Sequence, residues 1–335
     1  MNCGSRRYAN DLTNIMKRCY CIIGTGALGG YYGALLCRAG FDTHFLIRSD
    51  YNQVKTHGLT IKSPKGDFTL PKINAWRSIH EMPKGDVILV SVKVYSNPQI
   101  RDSLSPIIHE KSILVFMQNG LYCENLFAGL LPDERIFGAL SFICVSKQGP
   151  GLIDHQDYGS VKIGVYNPTG RTAGVTPLLQ QLIDEFVSAG IDASPVPDLL
   201  QARWEKLVWN IPFSGLSVVL NADTQRIVAD LYSLRLAEAI IADVISAARA
   251  CGKPIDSAFG QKMIENTVDM VPYMPSIKLD FDQGKPMETE AIFGNPLRAA
   301  QKAGYEARYI ESLYRILKFM EKYRFNHPHI LSNQI

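Results

Sequence analysis

Lys206, Asn210 and Ser214 recur at intervals of four in the second half of the chain, and on a helix that spacing lays them along one narrow line. Trp204, Leu207, Val208, Trp209, Ile211, Phe213 and Leu216 crowd the line with apolar groups. A lysine in such company is semi-buried, which makes it a functional-site candidate; the alternative is a surface lysine beside Glu205. Pro212 predicts a kink that takes Ser214 off the line. Further on come Ser276, in a loop-rich region bounded by Pro272, Pro275 and Pro286, and then Glu288 and Glu290. On the residues alone these acids read as first-turn groups stabilising a helix N-terminus. A lysine able to release a proton, beside amides and a hydroxyl that orient a carboxylate or an alkoxide without adding net charge, is what a ketone needs when it accepts a hydride.

The first half supplies the place for a hydride carrier. Cys19 to Ile23 reads as a short buried strand, followed at once by Gly24-Thr25-Gly26-Ala27-Leu28-Gly29 and a helix that reaches Ala39 and stops at Gly40. This is GxGxxG in its strand-turn-helix setting: Gly24 permits the tight turn, Gly26 lets the backbone approach a pyrophosphate, and Gly29 lets helix and strand pack closely. The next strand, Thr43 to Ile47, ends in Arg48, whose guanidinium suits a 2′-phosphate and hence NADPH. The alternative is that Arg48 is a solvated loop charge and Asp50 takes the ribose of NAD.

Strand and helix signals then continue to alternate. Thr60 to Ser63 and Phe68 to Leu70 flank a turn as a hairpin; Asp86 to Val92 is a buried strand ending at Lys93; Ser112 to Phe116 is another, ending in Gln118-Asn119-Gly120. Ligands of doubly wound sheets bind beyond the carboxyl ends of the strands, so Lys93 and Asn119 lie where cofactor and substrate would meet. For Asn119 a plain Asn-Gly turn explains the residue equally well, and Lys93 also reads as an exposed strand-end lysine. Gly149-Pro150-Gly151 opens a hairpin whose second strand is Ser160 to Val165, a helix follows over about 176–189, and Pro195 and Pro197 break the chain before an almost wholly helical remainder.

With 335 residues, 46% hydrophobic and 20% charged, the chain can build two separate cores. Lys and Arg total 35 against 32 acids, and the surplus belongs to the first 18 residues, so the body is neutral. A neutral body without a basic cluster argues against nucleic acid or an anionic membrane as partner. The seven scattered cysteines predict a reducing, cytoplasmic compartment and no metal set. The uncharged run from Cys19 to Cys37 imitates a membrane span, but its glycines fit the phosphate turn instead.

Taken in order, GTGALG at 24–29, Arg48, Val92-Lys93, Gln118-Asn119-Gly120, Lys206 with Asn210, Ser276, and Glu288 twelve residues later resemble the ketopantoate reductase (2-dehydropantoate 2-reductase) family. The resemblance runs from about Lys17 to the last helix. It implies NADPH-dependent reduction of 2-dehydropantoate to pantoate, on the route to pantothenate and coenzyme A. It also implies a Rossmann-type doubly wound α/β domain, 16–194, followed by an all-α domain, 195–335, like the C-terminal part of 6-phosphogluconate dehydrogenase. By the same resemblance Lys206 is the catalytic lysine and Glu288 its acidic partner at the substrate. Gly24, Thr25, Gly26, Ala27, Leu28, Gly29, Arg48, Lys93 and Asn119 bind the cofactor; Lys93, Asn119, Asn210, Ser214, Ser276 and Glu288 hold the substrate.

Ser214 stands where many members carry asparagine, Phe293 in a segment that often reads Ile-Asn-Gly, and Arg308 near a common proline. Residues 1–15 read as an extension, or as a mis-set start before Met16. Other readings of the whole are a reductase of another 2-keto acid, a dehydrogenase of 3-hydroxy acids or glycerol phosphate, and a non-enzymatic NADPH-binding sensor. The partner expected is a small 2-keto acid, with neither nucleic acid nor membrane, and a homodimer is left open.

Overall fold

The computed structural model describes residues 18–326; the expected extension at 1–15 lies outside the described residues. The strands are β1 (Cys19–Ile23), β2 (Asp42–Leu46), β3 (Leu59–Lys62), β4 (Phe68–Leu70), β5 (Asn74–Trp76), β6 (Val87–Val90), β7 (Ile113–Phe116), β8 (Ile136–Gly149), β9 (Leu152–Val165) and β10 (Asp192–Pro195). They form one sheet in the order β4-β3-β9-β8-β7-β6-β1-β2-β5, with β10 also paired to β9. The run from β8 to β5 is parallel, whereas β8–β9 and β3–β4 are antiparallel. The Rossmann-type sheet is therefore mixed. Helices α1 (Ala27–Arg38), α2 (Tyr51–His57), α3 (Asn97–Ser103) and α4 (Pro177–Ser188) belong to this half.

Side-chain alternation along β1 shows why the sheet holds both faces buried. Tyr20 and Ile22 enter a core with α1 and α4, while Cys21 and Ile23 enter a second core on the opposite face. β6 and β7 are apolar and buried throughout, as parallel strands covered on both sides must be.

Beyond Pro195 the described chain is helical: α5 (Leu199–Val219), α6 (Thr224–Ala229), α7 (Leu231–Ala250), α8 (Ser257–Asp269), α9 (Ser276–Asp282), a π-type turn at Glu290–Gly294, α10 (Asn295–Lys302) and α11 (Arg308–Asn326). α5 is the buried axis of this half. Its Trp204, Leu207, Val208, Ile211 and Phe213 form one core with α7 and α11, and the Asp198 carboxylate caps its start by accepting from the Gln201 amide at 2.9 Å.

Several sequence expectations need revision. α5 runs unbroken through Pro212. Ser276 opens a helix rather than lying in a loop. The hairpin at Gly149-Pro150-Gly151 joins strands of 14 residues each, far longer than expected. Register irregularities at Phe142/Ile143, Cys144/Val145 and Lys147/Gly149 break its alternation, which hid the outer half of the hairpin from a period-2 reading.

Candidate active site

The glycine turn joins β1 to α1, and its glycines answer to different constraints. Gly24 has φ +100° and lies so close to the Val92 backbone that a Cβ would overlap it. A Cβ on Gly29 would strike the Ser91 hydroxyl and the Gly24 carbonyl. Around Gly26, by contrast, a Cβ would meet nothing within 4 Å. Packing therefore explains the first and third glycines, while the second faces open space at the uncapped N-terminus of α1, where backbone amides point outward. Ser91 donates to the Gly24 carbonyl at 2.7 Å and Thr25 to the Leu46 carbonyl at 3.0 Å, which fastens the turn to the ends of β6 and β2.

At the end of β2, Arg48 is exposed and makes no ion pair or hydrogen bond among the described residues. Asp50 is committed elsewhere. It is 7% exposed, pairs with Lys147, and accepts from Ser49 at 2.7 Å and from the Gly151 amide at 3.1 Å. These partners hold its carboxyl below the usual carboxylate range in spite of burial. An open second glycine, an uncapped helix end and a free cation where an acid would select NAD together fit NADPH.

Asn119 is held by residues that sequence reasoning did not single out. Arg203, on α5, donates from Nη1 to the carbonyls of Gln118 and Gly120, each at 3.0 Å, and from Nη2 to Glu124; both side chains are 2% exposed. One guanidinium thus grips the peptide on either side of Asn119. Gln118 adds a reciprocal amide pair with Asn97 at 2.7 and 3.0 Å. Gly120, at φ +98°, packs on the Ala291 carbonyl, which also accepts the Leu121 amide at 3.0 Å, so the β7 loop is keyed into the π-type turn of the helical half.

Between the halves lies a cleft of about 680 Å³ whose wall includes Leu28, Asn119, Lys206, Asn210, Ser214 and Ser276. Lys206 Nζ donates to the Ser141 carbonyl at 2.6 Å and stands 5.2 Å from the centre of the Phe142 ring. Burial, and then the Arg203 guanidinium, push its pKa down to about 7, against the opposing pull of Glu288 and Cys123. The side chains of Asn119, Asn210, Ser214 and Ser276 make no hydrogen bond among the described residues, although Asn210 and Ser214 are only 8% and 6% exposed. Nearly buried polar groups facing a cleft without internal partners are a ready cradle for a polar ligand.

Glu288 is placed differently from the expectation. It accepts from the Val94 amide at 2.9 Å and from Lys93 Nζ at 3.4 Å, and Lys93 also binds Asp280 at 2.5 Å. Its hydrogen-bonding partner is Lys93, not Lys206, and Asp280 is a further member that the sequence reading missed. Burial works against the charge on Lys93, yet Glu288 and Asp280 hold its pKa above the ordinary lysine value. Of the departures from the family pattern, Ser214 lines the cleft, whereas Phe293 is fully buried in the helical core and Arg308 is exposed beside Glu306. Among the described residues no helix is long and apolar enough to cross a membrane.

The family model for "Ketopantoate reductase PanE/ApbA" matches residues 20–168, and the model for its C-terminal domain matches 198–321. A 2-dehydropantoate 2-reductase from Nostoc sp. is 46% identical over 305 residues, which cover 91% of this chain and 96% of the relative. The crystal structure of 2-dehydropantoate 2-reductase from Geobacter metallireducens aligns with TM-score 0.84 and 37% identity over 90% of this chain and 99% of that one. A dimeric ketopantoate reductase from Staphylococcus aureus shares the fold, with TM-score 0.77 at 20% identity over 91% of this chain and 99% of that one.

Proposed function

Because the chain belongs to the ketopantoate reductase family, we propose that its interdomain cleft reduces 2-dehydropantoate to pantoate with NADPH, and that Lys206 is the proton donor. The observation that carries this reading is the convergence on one cleft of Lys206 with the uncommitted side chains of Asn119, Asn210, Ser214 and Ser276. The backbone of 24–29 and Arg48 would hold the pyrophosphate and the 2′-phosphate, with Lys93 and Asn119 toward the nicotinamide end. When bound, NADPH supplies the hydride that adds to the ketone carbon.

The chain's own groups do the rest. As hydride arrives, charge develops on the carbonyl oxygen, and an ammonium at Lys206 both stabilises that charge and delivers a proton to it. An arriving substrate carboxylate favours the ammonium form, which burial alone weakens. The amides and the Ser276 hydroxyl orient carboxylate and hydroxyl without adding charge. Glu288, fixed by the Val94 amide and Lys93, offers an acceptor for the distal hydroxyl. Leu28, Met117, Phe142, Ile143 and Val145 add apolar surface to the cleft beside these polar groups, which limits the water that can reach the reacting oxygen. Scattered unpaired thiols support a reducing cytoplasmic location, and the dimeric relative supports a homodimer.

Steady-state assays with NADPH and a panel of 2-keto acids test the substrate. 2-Dehydropantoate should exceed pyruvate and 2-oxobutanoate in kcat/KM, because a ligand without the distal hydroxyl leaves polar groups unpaired. Equal efficiency on all of them would favour a general 2-keto acid reductase, with Ser214 as the residue that widens the pocket.

A further inference from the structure

The opposite end of the β1–β2 pair, away from the glycine turn, carries a second group of reactive side chains. These strands run parallel with Cys19 beside Asp42 and Cys21 beside His44, so alternation puts all of them on one face. Cys19 Sγ, an Asp42 carboxylate oxygen and a His44 ring nitrogen lie within 4.8 Å of one another. Cys19 is partly exposed and Asp42 exposed, while His44 is 9% exposed and Cys21 fully buried.

Cysteine, aspartate and histidine together suggest a metal, but the protons on His44 argue otherwise. Trp76 Nε1–H, which can only donate, meets His44 Nδ1 at 3.0 Å. Nδ1 is therefore an acceptor, and the proton of the neutral ring sits on Nε2. A metal on Nε2 would need Nδ1 to carry a proton toward an acceptor, as metal-bound histidines normally do; here that nitrogen already faces an N–H. Nε2 lies 3.0 Å from Asp42 Oδ1, yet it is buried without an aligned hydrogen bond. Nε2 thus carries its N–H 3.0 Å from the Asp42 carboxylate, with a ring nitrogen within 4.8 Å of Cys19 Sγ, and an N–H suits a thiolate better than a cation.

We propose that Cys19 is a thiolate site for modification by small disulfides. Cys19 S⁻ attacks one sulfur of R–S–S–R, a Cys19–S–S–R bond forms as the R–S–S–R bond breaks, and R–S⁻ leaves with the electron pair and takes a proton from water. Cys19 is oxidised and the leaving thiol is reduced, so no further reagent is needed. The surroundings favour ionisation: the neighbouring Cys21 thiol and His44 lower the Cys19 thiol below its ordinary value, against burial and the Asp42 charge, while the Cys21 S–H itself points to the Pro83 carbonyl at 3.6 Å. The other charged or titratable groups nearby are Asp86, which accepts the Cys19 amide at 2.9 Å and pairs with His109, Arg18, which pairs with Glu185, and Cys37 beyond Asp42.

The test is the reaction of the native full-length chain with dithiobis(nitrobenzoate), an aromatic disulfide, followed by release of its thiolate and by peptide mass spectrometry. The first equivalent should map to Cys19 and vanish in Cys19→Ser. Its rate should reach half-maximum well below the ~8.5 of a free thiol, and His44→Asn should move that midpoint upward. Cys19→Ser should leave reductase activity unchanged, since the site lies at the far end of β1 from the cleft. A first equivalent on Cys37 or Cys251, a wild-type midpoint at the free-thiol value, or stoichiometric Zn²⁺ binding abolished by Cys19→Ser would each overturn the proposal. The wild-type profile and the Cys19→Ser map decide the matter even if the His44 variant does not fold.

Discussion

Arg203 and Lys206 stand three positions apart on α5, and one turn of helix separates a cation sealed against a carboxylate from a cation that donates to a carbonyl beside an aromatic ring. The sealed one lowers the proton affinity of the other, after burial itself. α5 therefore carries both the tether of the Asn119 loop and the proposed acid, and it sets them within reach of one another. Proton transfer from a positioned group contributes about 10²- to 10⁴-fold. Lys206→Ala should lose kcat in that range while NADPH affinity, read by fluorescence titration, stays near wild type, because the cofactor rests on the other half. In wild type, kcat/KM for reduction should fall as pH rises through the value of about 7 where free Lys206 loses its proton. Near-wild-type kcat in folded Lys206→Ala would return the residue to a structural role.

The Arg203–Glu124 pair separates stability from positioning. Arg203→Met strands a buried carboxylate and should cost about 3–5 kcal/mol in urea unfolding, whereas Arg203→Met combined with Glu124→Leu should recover much of that loss. Activity should not recover with it, because the carbonyls of Gln118 and Gly120 lose their donor and Asn119 loses its fixed direction. The limb of the pH profile should also move to higher pH once the neighbouring cation is gone. Full recovery of kcat/KM in the double variant would show that the guanidinium serves stability alone.

What the sequence made legible was local. The glycine turn, its strand and helix, the helix expected over about 176–189 and the line of Lys206, Asn210 and Ser214 each depend on residues a few positions apart, where spacing leaves a direct mark. The contacts that complete the site are distant. Arg203 meets Glu124 across 79 residues, and Lys93 meets Asp280 across 187, so Arg203, Glu124 and Asp280 each read by themselves as ordinary charges, and Lys93, placed by its strand end, gives no sign of its acidic partner. Asp50 shows the same limit: two residues after Arg48 it competed for the ribose, until Lys147 and Gly151, about a hundred positions away, accounted for its carboxylate.

Cofactor choice follows from that arrangement. Arg48 is exposed at the end of β2 and Asp50 is withdrawn into the sheet, so wild type should prefer NADPH to NADH. A hydrogen bond to a charged group is worth about 1.5–3 kcal/mol, which predicts that Arg48→Ala reduces the ratio of kcat/KM values for the two cofactors by roughly ten- to a hundredfold. Activity with NADH should change little. A wild-type preference for NADH, or an unchanged ratio in Arg48→Ala, would remove Arg48 from the phosphate site.

Lys206 also leaves a mark on stability that is independent of any assay. Its pKa falls from 10.5 to about 7 on folding, so between those values the unfolded chain holds a proton that the folded chain has released. Stability rises with pH wherever the unfolded state binds more protons. Below the folded value both states carry the ammonium and the cost of burying it is fully present; above the unfolded value neither does and the cost is gone. Lys206→Met keeps the length of the side chain and removes the titration. Its Tm should exceed that of wild type at and below neutral pH, and the gap should narrow steadily as pH climbs from about 7 toward about 10, a window set by the folded and unfolded titrations. The groups common to both proteins cancel in this difference, which isolates the lysine. A Tm gap that stays constant across the window would mean that Lys206 keeps its proton as readily in the folded state as in the unfolded one, and the proposed tuning by burial and Arg203 would fall with it.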